Sequence, residues 1–225
     1  MKKIIALMPL KANSSRVPGK NFKVLEGKPL FRWMLDKLLA SDHIDQVVIN
    51  TDAQVELKQA GFPDNNKLVI RNRKLELRGD EISMNLILED DIANTDADMY
   101  LMTHTTNPFI SLNTINKAIE ALSNNIDADS LFTVNRMQTR FYDINCKAIN
   151  HDPNNLIPTQ DLEPWFEENS CMYLFSKASF SKTSARIGER PMMFETNKLE
   201  SVDIDEPQDW QLAEALAPKF IQEQP

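Results

Sequence analysis

Glycine is scarce in this chain, with five among 225 residues, and cysteine is scarcer, with two. So few glycines leave no G-x-x-x-x-G-K-[ST] phosphate loop and no G-x-G-x-x-G turn, so two common nucleotide-binding motifs are excluded. Cys146 and Cys171 are too few for a disulfide framework and are expected to be reduced. Cys171 lies in the apolar run CMYLF without a basic neighbour, which marks it as a core residue and not a nucleophile. No apolar stretch reaches the length of a membrane span. The opening KKIIALMPL weakly imitates a signal peptide, but its apolar run stops at Lys11 and no small-residue cleavage site follows, so a cytoplasmic location is expected. Neither His43 nor His151 has metal-ligand spacing, so no zinc site is expected.

Basic charge is also in short supply overall: the net charge is -8 and the pI is near 5.0, which argues against nucleic acid as a partner. Yet the first 25 residues carry six basic side chains and no acidic one. The apolar run Ile4 to Met8 reads as a strand, and the loop after it presents Lys11, Asn13, Ser14, Ser15, Arg16, Gly19, Lys20 and Asn21. A strand, a polar basic loop and then a helix form a frequent phosphate-holding arrangement, because the loop offers backbone N–H donors as well as cations. The competing reading is a solvated turn at Pro18 and Gly19 whose lysines serve solubility.

Length and 42% apolar content suit one globular domain over residues 1–225. Candidate strands at 3–9, 47–50, 67–70 and 99–103 alternate with candidate helices at 29–40, 84–92 and 112–122, the pattern of a mostly parallel sheet flanked by helices. From Leu131 the rhythm changes to the short pieces LFTVNR, FYDIN and CKAI, split by HDPNNLIP. This reads as a small β-hairpin insertion over 131–168, a candidate dimerisation element in an α/β fold. CMYLF and SVDID are expected to resume the sheet, and Pro207 to Leu216 to close it with a helix.

SVDID carries the second strong signal. In an extended strand Asp203 and Asp205 share one face while Ile204 takes the other. Two such carboxylates repel unless a cation lies between them, and Mg²⁺ prefers oxygen ligands and commonly bridges carboxylates to nucleotide phosphates. The alternative is that Asp205 caps the following helix while Asp203 stays solvated. HTTNPF, residues 104–109, follows a strand where ligand crevices form, so His104, Thr105, Thr106 and Asn107 are candidates for hydrogen bonding a sugar or base. Asn169, just before CMYLF, reads either as a ligand contact or as a turn residue.

MPLKANSSRVPGKN, INTD, RNRKLELRGDEIS, LMTHTTNPF, ENSCMYLF and SVDIDEPQDWQLAE occur in this order. The series resembles the acylneuraminate cytidylyltransferases, over about residues 3–217. The resemblance implies a nucleotide-diphospho-sugar transferase-like, Rossmann-like fold, usually dimeric, that joins CTP to a 2-keto-3-deoxy sugar acid of the sialic acid kind for surface polysaccharide synthesis. It places Lys11, Ala12, Asn13, Ser14, Arg16, Lys20, Asn21, Arg71, Asp80 and Ser83 at the nucleotide, and His104, Thr106 and Asn169 at the sugar. It makes Lys20, Asp203 and Asp205 the catalytic candidates, with the two aspartates holding Mg²⁺. Lys11 stands where the family usually has Arg, and Glu167 and Ile110 also replace frequent arginines, so the pyrophosphate and sugar carboxylate must be met by other groups or the sugar must differ. The partners expected are CTP, a sugar acid and a second copy of the chain. Two alternatives remain: a glycosyltransferase acting on a finished nucleotide sugar, and a non-catalytic nucleotide- or sugar-binding homologue.

Overall fold

A computed structural model describes residues 2–221. Its first strand, β1 (Ile4–Leu7), illustrates how the core divides. Ile4, Ala6 and, just beyond the strand, Met8 face one cluster of buried residues, while Ile5 and Leu7 face another, as the two-residue period of a strand requires. Both faces are apolar because helices cover both.

After β1 come a tight hairpin of β2 (Val24–Leu25) and β3 (Lys28–Pro29), helix α1 (Leu30–Ala40), β4 (Gln46–Thr51), α2 (Gln54–Ala60) and β5 (Leu68–Asn72). The hairpin turns on Glu26 and Gly27, both with positive φ, the twist that joins two antiparallel strands through two residues. Then follow α3 (Met84–Ala93), β6 (Met99–Thr103), α4 (Leu112–Asn124), β7 (Ser130–Met137), β8 (Trp165–Ser176), α5 (Lys177–Thr183), β9 (Pro191–Glu195) and α6 (Pro207–Ile221).

The seven-stranded sheet runs β5-β4-β1-β6-β8-β7-β9. β8 is antiparallel to both of its neighbours, and the other adjacent pairs are parallel. From β1 the chain moves out to β4 and β5, then returns to place β6 on β1's other side. The order therefore reverses between β1 and β6, and the crevice beyond their carboxyl ends is where such sheets bind ligands. α1 and α4 pack on one face, with Phe31, Leu35, Ile115 and Ile119 in that cluster, and α3 and α5 on the other through Leu88, Ile92 and Phe180.

A third cluster ties the two ends of the chain together. Val17, Leu25 and Trp33 from the N-terminal part meet Ile204, Trp210, Ala213 and Phe220 from the C-terminal part. Phe109 stacks on Phe220 at 4.7 Å and meets Trp33 edge-on at 5.6 Å. Each such pair adds about 0.5–1.5 kcal/mol beyond its buried area. This packing holds residues 203–205 against the loop that follows β1.

Three sequence expectations are corrected. SVDID is not a strand: it lies outside every strand, and its backbone meets the 104–109 turn through Ile204 N–H donating to Thr106 O at 2.9 Å. After CMYLF the strand that joins the sheet is β9. FYDIN and CKAI make only an isolated bridge, Tyr142 to Ala148, because Asp143 Oδ1 captures the backbone N–H groups of Asn145 and Lys147 at 2.9 and 2.8 Å, an alternative to ladder pairing. LFTVNR, in contrast, belongs to a long strand pairing with β8 from Ser130↔Phe175 to Met137↔Trp165. The short elements α2, α5 and β9 carry too little periodicity to be read from the sequence.

Candidate active site

A cavity of about 440 Å³ opens at the β1/β6 crevice. The loop after β1 forms one wall. Val17 is buried, and Gly19 adopts a left-handed φ of 63° before a single 3₁₀ turn, Lys20–Phe22. Lys20 N–H bonds Val17 O at 3.1 Å and Phe22 N–H bonds Gly19 O at 2.9 Å. This turn sends the Lys20 side chain inward, where only 7% of the residue is exposed.

Lys20 Nζ donates to Ile204 O at 2.5 Å and to Asp205 Oδ1 at 3.0 Å. Arg16 reaches Asp205 Oδ2 and Glu206 Oε1, each at 3.0 Å. Asn21 straps the loop to the end of β6: its Nδ2 donates to Lys11 O at 2.8 Å and its Oδ1 accepts from Thr105 Oγ1 at 2.5 Å. Lys11 Nζ pairs with Asp80. Lys11, Ser14, Arg16, Lys20, Asn21 and Asp80 all line the cavity. Ala12 and Asn13 do not: the Ala12 N–H is taken by Asp52 Oδ1 at 2.9 Å.

Asp203 and Asp205 both face the cavity, with Ile204 buried in the third cluster between them. The predicted alternation is thus present without a ladder. The two carboxylates differ in environment. Burial raises the Asp203 pKa, opposed by a hydrogen bond from Thr106 and reinforced by repulsion from Asp205. For Asp205 burial acts upward as well, but hydrogen bonding and charge from Lys20, with Arg16, outweigh it and hold the group below its ordinary value. Asp203 Oδ1 is buried and, among the described residues, has no hydrogen-bond partner. A buried carboxylate oxygen without a donor is uncommon in folded proteins and fits a site that takes a cation. Among the described residues no group of three His, Cys, Asp or Glu could enclose a metal. A cation here would therefore complete its shell with oxygens of phosphate or water, the habit of Mg²⁺.

His104 lines the same space. Burial chiefly, with Arg186 and Lys20 adding and Asp205 opposing, lowers its pKa to about 4. It is neutral at pH 7 and acts as a hydrogen-bonding group, not a cation. Thr106 also lines the cavity.

One further lining residue, Ser170, comes from an irregular stretch of β8. Phe132 pairs with Tyr173 and Val134 with Glu168, so a single residue of β7 lies opposite four of β8. Asn169 fastens this bulge: Nδ2 donates to Asn135 Oδ1 at 3.0 Å and Thr196 Oγ1 at 2.6 Å, and Oδ1 accepts from Cys171 N–H at 3.3 Å. Asn169 is thereby used up within the protein, and it is its neighbour Ser170, at φ 59°, that lines the cavity. Bulges commonly re-aim a side chain beside a site in this way. Both cysteines are free, and burial pushes the Cys171 thiol well above its ordinary range, with Asp203 and Glu200 adding to the effect, in keeping with an inert core residue.

Two further sequence candidates lie elsewhere. Arg71 turns to Asp90, at 2.9 Å, and to Asp91 on α3. Ser83 caps α3, accepting from Asn85 N–H at 3.3 Å. Neither lines the cavity, whereas Arg73 does. Arg73 is 4% exposed and donates to Asn50 O at 2.7 Å, Asn50 Oδ1 at 3.1 Å and Leu10 O at 3.2 Å. Arg73, Ser170 and Arg186 are the lining residues with polar side chains that sequence reasoning missed. The RNR segment did contain Arg73, but nothing local separates its two arginines, and Arg186 carries no motif.

The chain matches the family model described as cytidylyltransferase over residues 5–224. It is 27% identical over 228 residues to the CMP-N,N'-diacetyllegionaminic acid synthase of Legionella pneumophila subsp. pneumophila, covering 95% of this chain and 96% of that protein. It is 26% identical over 224 residues to the N-acylneuraminate cytidylyltransferase of Oncorhynchus mykiss, covering 96% of this chain but 51% of the relative. The chain thus spans about half the length of that relative. Among solved structures, CMP:2-keto-3-deoxy-manno-octonic acid synthetase in complex with CTP superposes with a TM-score of 0.70 at 15% identity, over 96% of this chain and 99% of the other. The 4-diphosphocytidyl-2C-methyl-D-erythritol synthase of Anaerococcus prevotii gives 0.68 at 15% identity, over 96% of each chain. These likenesses establish a nucleotide-diphospho-sugar transferase-like fold, and with the family match over nearly its whole length this chain belongs to the cytidylyltransferases, a family of nucleotidyl-transferring enzymes.

Proposed function

We propose that the protein joins CTP to a 2-keto-3-deoxy sugar acid, a sialic acid or related nonulosonic acid, giving a CMP-sugar and pyrophosphate. The observation that carries this reading is the unpartnered buried oxygen of Asp203, beside Asp205 and facing the cationic loop after β1. Those cations suit a triphosphate. The names of the relatives support a sugar acid as the second substrate. The glycosyltransferase alternative is not carried forward, because the chain belongs to a cytidylyltransferase family.

In this reaction the anomeric hydroxyl of the acid attacks the α-phosphorus of CTP and pyrophosphate leaves in line. The hydroxyl proton passes to a carboxylate or to water. The chain's own contribution is mostly charge and position. Lys11, Arg16 and Lys20 exchange their carboxylate partners for phosphate oxygens, neutralising the triphosphate as charge shifts to the leaving group. His104, neutral, and Thr106 hydrogen-bond the acceptor, and holding the hydroxyl near phosphorus removes much of the entropic barrier. Asp203 and Asp205 would hold Mg²⁺, which supplies Lewis-acid stabilisation of phosphate oxygens when bound.

The exposed apolar surface on the 138–166 excursion supports a homodimer. Phe141 stacks on Trp165 at 5.2 Å, and Ile144, Leu156 and Phe166 are exposed nearby in sequence, a concentration that isolated monomers seldom present. Among the described residues no helix is long and apolar enough to cross a membrane, which accords with a cytoplasmic enzyme supplying activated sugar for polysaccharide synthesis.

The test is pyrophosphate release with Mg²⁺, each nucleoside triphosphate in turn, and a panel of N-acetylneuraminic, N,N'-diacetyllegionaminic and 2-keto-3-deoxy-manno-octonic acids. Release is expected with CTP and at least one acid. Absence of release with every pair refutes the reading.

A further inference from the structure

The cations that line the cavity are not equivalent. Lys11, Arg16 and Lys20 each pair with a carboxylate, and Arg73 spends its donors on Asn50 and the Leu10 carbonyl. Arg186 is held differently. Its guanidinium lies 3.8 Å from the centre of the Tyr173 ring, and the only carboxylate within 4.0 Å among the described residues is Glu168, whose Oε1 is 3.6 Å away. That same Oε1 already accepts the Tyr173 hydroxyl. Ring and carboxylate thus fix the plane of the guanidinium, while no hydrogen bond from a described residue satisfies its donors.

Arg186 also stands apart in position. It follows α5 and enters the cavity beside Ser170 and His104, whereas the phosphate-type cations come from the loop after β1. It stands where the cavity meets a side groove of about 350 Å³ between the start of α3 and Ala185–Ile187, a groove that it also lines. Space therefore continues past Arg186 for a ligand larger than a nucleotide. A planar guanidinium stacked on an aromatic ring, with its donors open, matches the two oxygens of a carboxylate better than any lysine does.

We propose that Arg186 receives the carboxylate of the acceptor sugar acid, oriented by Tyr173 and Glu168, and so makes the enzyme select acids over neutral sugars. This inference rests on the proposed reaction.

Steady-state kinetics of R186A and R186K, using whichever panel acid the wild type turns over and the carboxamide of that same acid, tests it. The wild type is expected to prefer the acid. R186A is expected to raise the KM for the acid roughly 10- to 100-fold, the loss of a charge-assisted pair, to leave the KM for CTP within about twofold, and to erase the preference for acid over amide. R186K is expected to recover part of the preference. Protection of each variant from thermal unfolding by CTP with Mg²⁺ verifies that the fold and nucleotide site survive. An unchanged KM with the acid preference intact overturns the assignment while leaving the proposed reaction standing. A rise in the CTP KM equal to that for the acid also overturns it, by placing Arg186 at the triphosphate. No turnover by the wild type with any acid overturns reaction and assignment together.

Discussion

Replacing Asp203 by Asn should make the metal-free protein more stable while abolishing its chemistry. Asp203 Oδ1 is buried with no hydrogen-bond partner among the described residues, and burial and Asp205 both resist its ionised form. Asn keeps the shape but removes the charge. Removing one desolvated charge, offset in part by an amide group that still meets no partner at the Oδ1 position, is worth about 1–2 kcal/mol, and for a chain of this size each kcal/mol moves Tm by roughly 2–4 °C. Guanidinium unfolding of wild type and D203N in EDTA measures the gain, and pyrophosphate release with Mg²⁺ measures the loss of turnover. Excess Mg²⁺ with CTP should reverse the ranking, because ligand binding stabilises only the protein that retains the site. A D203N protein less stable than wild type in EDTA would refute the reasoning: Asp203 would then be satisfied in solution, and its free oxygen would carry no message about a cation.

Lys20 ties residues 184 positions apart, and K20M should lose both stability and rate. The Ile204 carbonyl is left unpaired at a cost of about 1–3 kcal/mol, while Asp205 retains Arg16. Loss of a preorganised charge at the reacting phosphates lowers kcat by roughly 10²- to 10³-fold; denaturant unfolding and pyrophosphate release give the two values, and a variant impaired in only one would separate scaffold from chemistry. Away from the site, Asp91 predicts a pH-dependent stability. Burial raises its pKa from 3.8 to about 6, against the pull of Asn50 and Arg71. The native state therefore binds this proton more tightly than the unfolded chain, so Asp91's contribution is most favourable below about pH 4 and is lost as pH rises through about 6, by roughly 3 kcal/mol in all. Urea unfolding between pH 4 and 7 should show this decline in wild type and a flatter profile in D91N; equal slopes would show that Arg71 neutralises Asp91 completely.

How far the sequence carries can be judged from three segments. The apolar alternation of β1 and the i, i+3, i+4 spacing of α1 and α4 are local signals, and the structure has these elements at nearly the predicted positions. Their alternation implied a mostly parallel sheet, hence a crevice at a reversal of strand order, and the basic loop lies at that crevice. SVDID shows where local reasoning stops. Alternation correctly put Asp203 and Asp205 on one side and Ile204 on the other, but alternation does not name a ladder partner. What fixes this segment is the distant Lys20 and the aromatic packing of α6, neither of which leaves a periodic trace. The same limit explains the arginines. Arg71 and Arg73 are indistinguishable as letters two positions apart, and only their distant partners decide that one turns to the acidic pair on α3 while the other, held by Asn50 and the Leu10 carbonyl, borders the cavity. Arg186 becomes conspicuous only when the Tyr173 ring is seen beneath it, since a cation's availability depends on the partners the fold denies it. In a chain with so few glycines to shape a phosphate loop from backbone alone, the site is assembled instead by long-range ties between side chains, and these are the contacts least legible from spacing.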